Sequence, residues 1–534
     1  MDTSSSGIDS ARRYLRRRTV LRYGGTAGLL AAFSGILAAC GGTTAPPTTA
    51  PGASSAASAA PTSAASSSAP ATATGGGASP AASSDPSPVA SAAPATVATP
   101  SVAASGAPLL GYTKSAKVFN GNKIKLTMWN WKQPFEEIYN KYFAQYTQLY
   151  PNVEFEQTVV PFAEFLKKIQ AGVLAKQAPD MFGMFWLWQP PIVDAKLIRP
   201  LPEDRFPQAS LEASFANIRA TYGGADGKAY WIPLGKLSGG LHINKKIWAK
   251  AGLTDKDVPK TWDQVIQVAK QLTVRDNAGR VQVAGYNPTG YIQSTWRYLY
   301  YQQGFWSLNK DSSKSYFDTD EMRKSLQFFD DVYKVHKVSE PDFLKFDESF
   351  GAEKAAMIFM WTNALPNIRK YPDLQFATYP APTWSGKAEP AAGHGTLDPQ
   401  SLVVPVSTPD DRAAVCFDFI QWLYTNKDFL VEVALNQGSP PLATAIVDDP
   451  RIKADPIIST LLPQTDYIVQ TMGLPQAASD AYTKYAYEAP FVAGTPIAQA
   501  LKEGQAAVDD ILKQGPYYIK EQEYKYASLM KFKG

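Results

Sequence analysis

Cysteine and histidine are scarce: the 534 residues include two of the first, Cys40 and Cys416, and three of the second, His242, His336 and His394. No two of them fall at ligand spacing, which argues against a zinc site and leaves no metal or other cofactor nominated. If Cys40 has another task, no intramolecular disulfide can form. Cys416 lies in the apolar helical stretch AAVCFDFI and reads as a buried thiol. Net charge is nearly absent from the bulk of the chain. Residues 1–40 hold six Arg and two Asp, residues 41–107 hold one Asp and no Lys or Arg, and the total of +4 leaves +1 for 108–534. A nucleic-acid partner needs a basic surface on the folded part, so that class is set aside. Long apolar runs are missing too. The apolar stretch at 24–39 is shorter than the roughly 20 residues of a membrane-spanning helix.

That short stretch has informative flanks. Arg17-Arg18-Thr19-Val20-Leu21-Arg22 precedes it and resembles a twin-arginine export signal, and Leu37-Ala38-Ala39-Cys40 closes it. A basic front, a short apolar middle and a small-residue end are the parts of a signal peptide. The last four residues resemble a lipobox, in which cleavage before the cysteine accompanies attachment of diacylglycerol to its sulfur. Residues 1–40 are therefore expected to be a signal peptide, with Cys40 the lipidation site. Two or three acyl chains hold a protein at a membrane where one does so only marginally. Residues 41–107 are almost wholly Ala, Ser, Pro, Thr and Gly, with no aromatic residue. They cannot bury enough apolar surface to offset their ordering entropy and are expected to be a disordered tether. This reading places the protein outside the cytoplasm. It would be anchored by lipid to the outer face of the cytoplasmic membrane, or lie in the periplasm or cell envelope.

From Lys117 onward strands and helices alternate. Residues 124–131, 153–160 and 181–185 read as strands. A helix opening at Pro134 carries Phe135, Ile138, Tyr139, Tyr142, Phe143 and Tyr146 at helical spacing, and 163–176 is a second helix. Further helices are expected over 261–272, 321–336 and 409–424, the last with Thr408 as N-cap and Pro409 in its first position. Alternation of this kind predicts right-handed crossovers and parallel sheet with helices on both faces.

Several short motifs, in order over residues 120–515, resemble family 1 extracellular solute-binding proteins, the maltose-binding-like group. They are Ala178-Pro179-Asp180, Gly227-Lys228-Ala229-Tyr230-Trp231-Ile232-Pro233, Asn244-Lys245 and Pro259-Lys260-Thr261-Trp262-Asp263. Ala355-Ala356-Met357, Pro380-Ala381-Pro382 and Ser439-Pro440-Pro441 follow. The resemblance implies an α/β, two-lobed periplasmic-binding-protein-like fold of type II, with a ligand cleft between the lobes. The first lobe is expected from 117–236 with part of 376–430, the second from 237–375 with 431–534. It also implies a monomer that captures a carbohydrate and delivers it to the permease subunits of an ABC importer.

Sugars present apolar C–H faces and hydroxyl edges, so their sites need flat aromatic platforms and a few oriented polar groups. The chain has 12 Trp, and several stand where a strand ends and a loop begins. Trp129 and Trp131 end the first strand, Trp186 and Trp188 follow the third, Trp296 opens a helix, Trp361 follows Ala-Ala-Met and Trp384 lies in a Pro-rich segment. In the resembled pattern Trp131, Trp186, Trp296 and Trp361 hold the positions best suited to a ligand. Lys132, Tyr291, Gln293, Asn363 and His394 are candidate polar partners, and Trp262 is assigned to the core. A catalytic role is not expected. Glu136/Glu137 and Asp330/Asp331 are adjacent on helices and point in different directions. The Gly-rich run 223–227 has no following Lys-Ser/Thr and is a turn, not a phosphate cradle. The alternatives are a binding protein for a polyamine, phosphodiester or peptide, and an exported glycoside hydrolase. The hydrolase needs a carboxylate pair across a cleft, which nothing in the sequence nominates.

Overall fold

The computed structural model describes residues 108–533 apart from 116–117, 119–121, 132, 224–225, 388–392, 398–400, 471–472, 516, 518 and 520–525. The expected signal peptide, Cys40, the tether and Lys132 lie outside these residues.

The first sheet follows from the alternation in the sequence. β1 (Ile124–Asn130), α1 (Gln133–Leu149), β2 (Val153–Val159), α2 (Phe162–Leu174) and β3 (Met181–Met184) succeed one another. Phe135, Tyr139, Tyr142 and Tyr146 make one fully buried stripe of α1, and the chain turns out of the helix before Pro151. β1 pairs in parallel with both β2 and β3, so the three strands share one carboxyl edge. Parallel neighbours need such helical crossovers, because no tight turn can join them.

A short strand, β4 (Lys236–Leu237), leads into a second sheet. It comprises β5 (Gly239–Asn244), α3 (Trp262–Leu272), β6 (Val274–Arg275), β7 (Val281–Tyr286), α4 (Ile292–Tyr301), β8 (Ala355–Trp361) and β9 (Phe376–Pro380). The strand order is β6-β7-β8-β5-β9, with β7 and β8 parallel. β5 and β8 are buried along their whole length. His242 sits inside β5, and burial pushes its imidazole down to about 3. Thr261 caps α3 reciprocally with Gln264, a capping box that fixes the start of the helix.

The chain then returns through β10 (Gly393–Leu397) and β11 (Ser401–Val403), followed by α5 (Asp410–Thr425), α6 (Lys427–Gln437) and finally β12 (Ile468–Gln470). β11 joins the first sheet antiparallel to β3, completing the order β11-β3-β1-β2. α5 starts one residue later than the sequence suggests, and Thr408 does not cap it. The Thr408 hydroxyl donates instead to the Asp180 carbonyl at 3.3 Å. The Asp180 carboxylate joins three elements. It accepts from Thr127 N and Oγ1 of β1 at 2.7 and 2.8 Å, and from Arg412 Nε of α5 at 2.6 Å. Burial alone would raise its pKa; the Arg412 guanidinium and the Thr127 donors hold it below the usual carboxylate range.

Each sheet has its own hydrophobic core, which makes the molecule a two-lobed α/β protein. α6 with Ile446, Ile452 and Ile458 packs in the first core, while Ile457 and Leu461 join a cluster beside the second sheet and Val469, Tyr482 and Val508 join the second core. The segment beyond 430 therefore divides between the lobes. Three crossing segments connect them, and each contributes one strand to a small sheet, β12-β10-β4. Gln464 binds the three together. Its Nε2 donates to Ser238 Oγ and to Gly239 O, and its Oε1 accepts from Ala381 N at 3.0 Å. Lys236 Nζ adds a bond to Thr465 O at 3.0 Å.

Candidate functional site

The carboxyl edge of a parallel sheet is where open α/β folds place their ligands. In the first lobe that edge is aromatic. Trp131 follows β1, Phe162 opens α2 just after β2, and Phe185 follows β3. Trp131 is the centre of the group, with ring centroids 5.1 Å from Phe165 and Trp188, 5.8 Å from Phe162 and 6.2 Å from Phe185. Trp188 stacks almost flat on Phe165, at 5.3 Å and 10°. Gly183 allows this arrangement, since a Cβ there would come within 2.9 Å of the Trp131 ring. Phe162 is 47% exposed, Trp131 and Phe185 are half-buried, and Trp186 and Trp188 are buried. Trp129, within β1, packs against the same cluster. The turn carrying Trp186 and Trp188 is fixed through Gln189, which accepts from Trp231 Nε1 at 2.8 Å and donates to Tyr222 O at 3.2 Å.

In the second lobe the corresponding edge is more polar. The parallel strands β7 and β8 end at Tyr286 and Trp361, and Trp361 pairs with Gly239, where the chain enters from the crossing segment. Trp361 is anchored by its own donors: its backbone N–H bonds Tyr291 Oη at 3.1 Å and its Nε1 bonds Ser294 O at 3.2 Å. Tyr291 packs its ring 4.0 Å from Phe346, and burial pushes its hydroxyl pKa up. Gln293 stands in the first turn of α4 and Asn363 in the short turn Thr362–Ala364 that follows β8, both half-buried.

The remaining candidates are placed differently. Trp296 is 1% exposed, with its ring 5.7 Å from Tyr482 and 6.3 Å from Phe317 and the Arg297 guanidinium 4.8 Å from its centroid. Those are core surroundings. Trp384 donates Nε1 to Leu299 O at 2.8 Å, and Lys324 Nζ sits 4.1 Å from its ring. His394 is placed only by its backbone, in β10 on the crossing sheet. The structure thus gathers Trp129, Trp131, Trp186 and Trp188 at one edge, and Tyr291, Gln293, Trp361 and Asn363 at another. Phe162 and Phe185 are additions. The rule that singled out tryptophans after strand ends applies equally to these two phenylalanines. A surface concavity of about 620 Å³ lies elsewhere, between α1 and α6, and no candidate residue lines it. Lys141 pairs there with Glu432 at 2.6 Å and Arg451 with Asp428 at 2.9 Å, while Arg369 donates to the Leu435 and Asn436 carbonyls.

Comparison with known proteins agrees with this architecture. The maltotriose-binding protein of Pyrococcus abyssi is 22% identical over 393 residues, which are 73% of this chain and 78% of that protein. A probable amino-acid ABC transporter periplasmic-binding protein of Sinorhizobium fredii is 26% identical over 297 residues, 52% of this chain and 63% of that protein. Among solved structures, the maltose/maltodextrin-binding domain MalE of Bdellovibrio bacteriovorus, bound to maltotriose, superimposes with a TM-score of 0.62 at 15% identity. It covers 73% of this chain and 100% of that one, a likeness of fold. Residues 129–428, more than half of the sequence, match bacterial extracellular solute-binding proteins, and the chain belongs to that family.

Proposed function

We propose that this protein captures a carbohydrate between its lobes and passes it, unchanged, to the permease subunits of an ABC importer. The observation that carries the reading is the aromatic edge of the first lobe, where Trp131, Phe162 and Phe185 remain partly exposed over buried Trp188. Flat rings at this position suit the C–H faces of pyranose units. The neutral amides of Gln293 and Asn363 suit hydroxyl groups. An amino-acid ligand, which the name of the Sinorhizobium relative raises, would draw less from either feature. The maltotriose in the names of two relatives supports an oligosaccharide. Attachment to the membrane through lipid on Cys40, which rests on the Leu-Ala-Ala-Cys sequence, completes the proposal, with the protein acting as a monomer.

A thermal-shift screen of the purified protein against oligosaccharides, amino acids and polyamines tests the ligand class, because a ligand of the folded state raises its unfolding midpoint. An oligosaccharide is expected to raise it, and Trp131→Ala is expected to weaken that ligand about 5- to 150-fold by calorimetry. Stabilisation by amino acids or polyamines but by no carbohydrate overturns the proposal.

A further inference from the structure

We propose that the C-terminal segment 526–533 is a brace that ties the third crossing segment to the far end of α4, so that β12 and this helix keep one relative position while the lobes move, and the first turn of α4 is held in place. The segment lies beyond residues 129–428, which the family match covers. It meets two separate places. At one end the Tyr526 ring stacks on Tyr467, the residue before β12, with centroids 5.0 Å apart and planes 14° from parallel. At the other, Lys531 runs parallel to Phe305: its N–H donates to Gly304 O at 2.9 Å, and its carbonyl accepts from Trp306 N at 3.0 Å. Lys533 secures this end, with Nζ 2.5 Å from Glu321 and 4.2 Å from the Phe305 ring centroid, and with its carbonyl accepting from Tyr316 Oη at 2.8 Å. Met530, between the two ends, is buried in the second core.

Both places bear on α4. Residues 304–307 leave its C-terminal end and are held to it by Tyr300 Oη, which donates to Trp306 O at 2.8 Å, and by Tyr301 Oη, which donates to Ser307 Oγ at 2.9 Å. α4 also packs against β10, the neighbour of β12 in the crossing sheet. The brace therefore reaches the helix twice, through its last turn and through β12 and β10. Over a few residues the third crossing segment changes company. Gln464 and Thr465 bond the other crossing segments, whereas Tyr467 stacks on the brace and Val469 is buried in the second core. A bend between the lobes is thereby confined to the residues before Tyr467. α4 has 10 residues and is about 15 Å long, so a tilt of about 4° at its C-terminal end displaces its first turn by about 1 Å. That is enough to take a hydrogen bond of about 2.9 Å out of range.

Two measurements test the brace, and only the second rests on the carbohydrate reading. Tyr526→Ala and Tyr467→Ala, singly and together in the full protein, remove the stack, and Tyr526→Phe keeps it. The first measurement is amide hydrogen exchange in α4, with α1 of the first lobe as reference. The second is affinity for the oligosaccharide that best stabilises the wild type. Tyr526→Ala is expected to speed exchange over 292–301 about 3- to 10-fold, to leave α1 unchanged and to weaken binding about 3- to 10-fold. Tyr526→Phe is expected to match the wild type. The double variant is expected to bind no more weakly than the poorer single variant, because both substitutions remove one interaction. Unchanged exchange in α4 overturns the proposal. So does faster exchange in α1 and α4 alike, which marks a general loss of stability. Additive losses in the double variant, or faster exchange in α4 with affinity unchanged, overturn it as well. If the wild type binds no carbohydrate, the carbohydrate reading fails and the exchange measurement alone decides the brace.

Discussion

Replacing Trp296 with alanine separates a core tryptophan from a ligand platform, two roles that look identical in the sequence. The side chain is 1% exposed and lies against Phe317, Tyr482 and the Arg297 guanidinium. A buried tryptophan removes about 150–250 Å² from water, which at about 25 cal/mol per Å² is roughly 4–6 kcal/mol. Measured truncations of large aromatic residues give about 3–5 kcal/mol, so about 4 kcal/mol is a fair expectation. Unfolding roughly 400 residues carries an entropy of about 0.9 kcal/mol per degree, so the midpoint is expected to fall by about 4–5 °C. Phe162 is the counterpart. With 47% of its surface exposed, it has about half the burial to lose, and Phe162→Ala is expected to lower the midpoint by only about 1–2 °C. Its affinity loss, in contrast, is expected to be of the size given above for Trp131. Differential scanning calorimetry without ligand, beside titration calorimetry with the best oligosaccharide, reads both quantities on the same preparations. If Trp296→Ala keeps its midpoint within about 1 °C and loses affinity, the burial argument is refuted.

Two further outcomes are expected. The His242 pKa in the fold, about 3, is below its unfolded value near 6.5, so its contribution to stability is complete above that value. It drains away as the pH falls from about 6.5 toward 3, by at most about 1.4 kcal/mol per pH unit. His242→Leu is expected to flatten this part of a stability-versus-pH curve measured by denaturant unfolding, and an unchanged slope refutes the assignment. At the other end of the chain, Cys40→Ser is expected to abolish incorporation of radioactive fatty acid in the native host; equal labelling of wild type and variant rules out the lipid anchor.

Much of the fold could be read from local patterns because local physics decides it. The aromatic stripe of α1 and the Thr261 capping box needed no distant partner to specify a helix. Thr408 shows the opposite case: its hydroxyl belongs to Asp180, remote in sequence, and no propensity argument could foresee that. β4, β10, β11 and β12 have two to five residues each, too short for an alternation to register. The candidate site was legible to the extent that strand ends were. Trp131 and Trp296 both open onto loops or helix starts, yet one faces a sheet edge and the other a packed helix pair, a difference set by residues such as Tyr482 almost two hundred positions away. Phe162 and Phe185 were missed because attention to tryptophan passed over smaller rings in equivalent places.

The threading of the chain through both lobes has a consequence for biogenesis. β3 is complete at Met184, but β11, which covers its outer edge, arrives only at Ser401, and Arg412 reaches Asp180 later still. During synthesis the first lobe waits with an open strand edge and a carboxylate lacking its counter-ion while the whole second sheet, Gly239–Pro380, is being made. An open edge is a template for pairing with other chains, and contacts so distant in sequence form late. The strands of the second sheet are contiguous in the chain, but its core closes only with Val469, Tyr482, Leu501 and Val508, so both lobes wait for residues made late in synthesis.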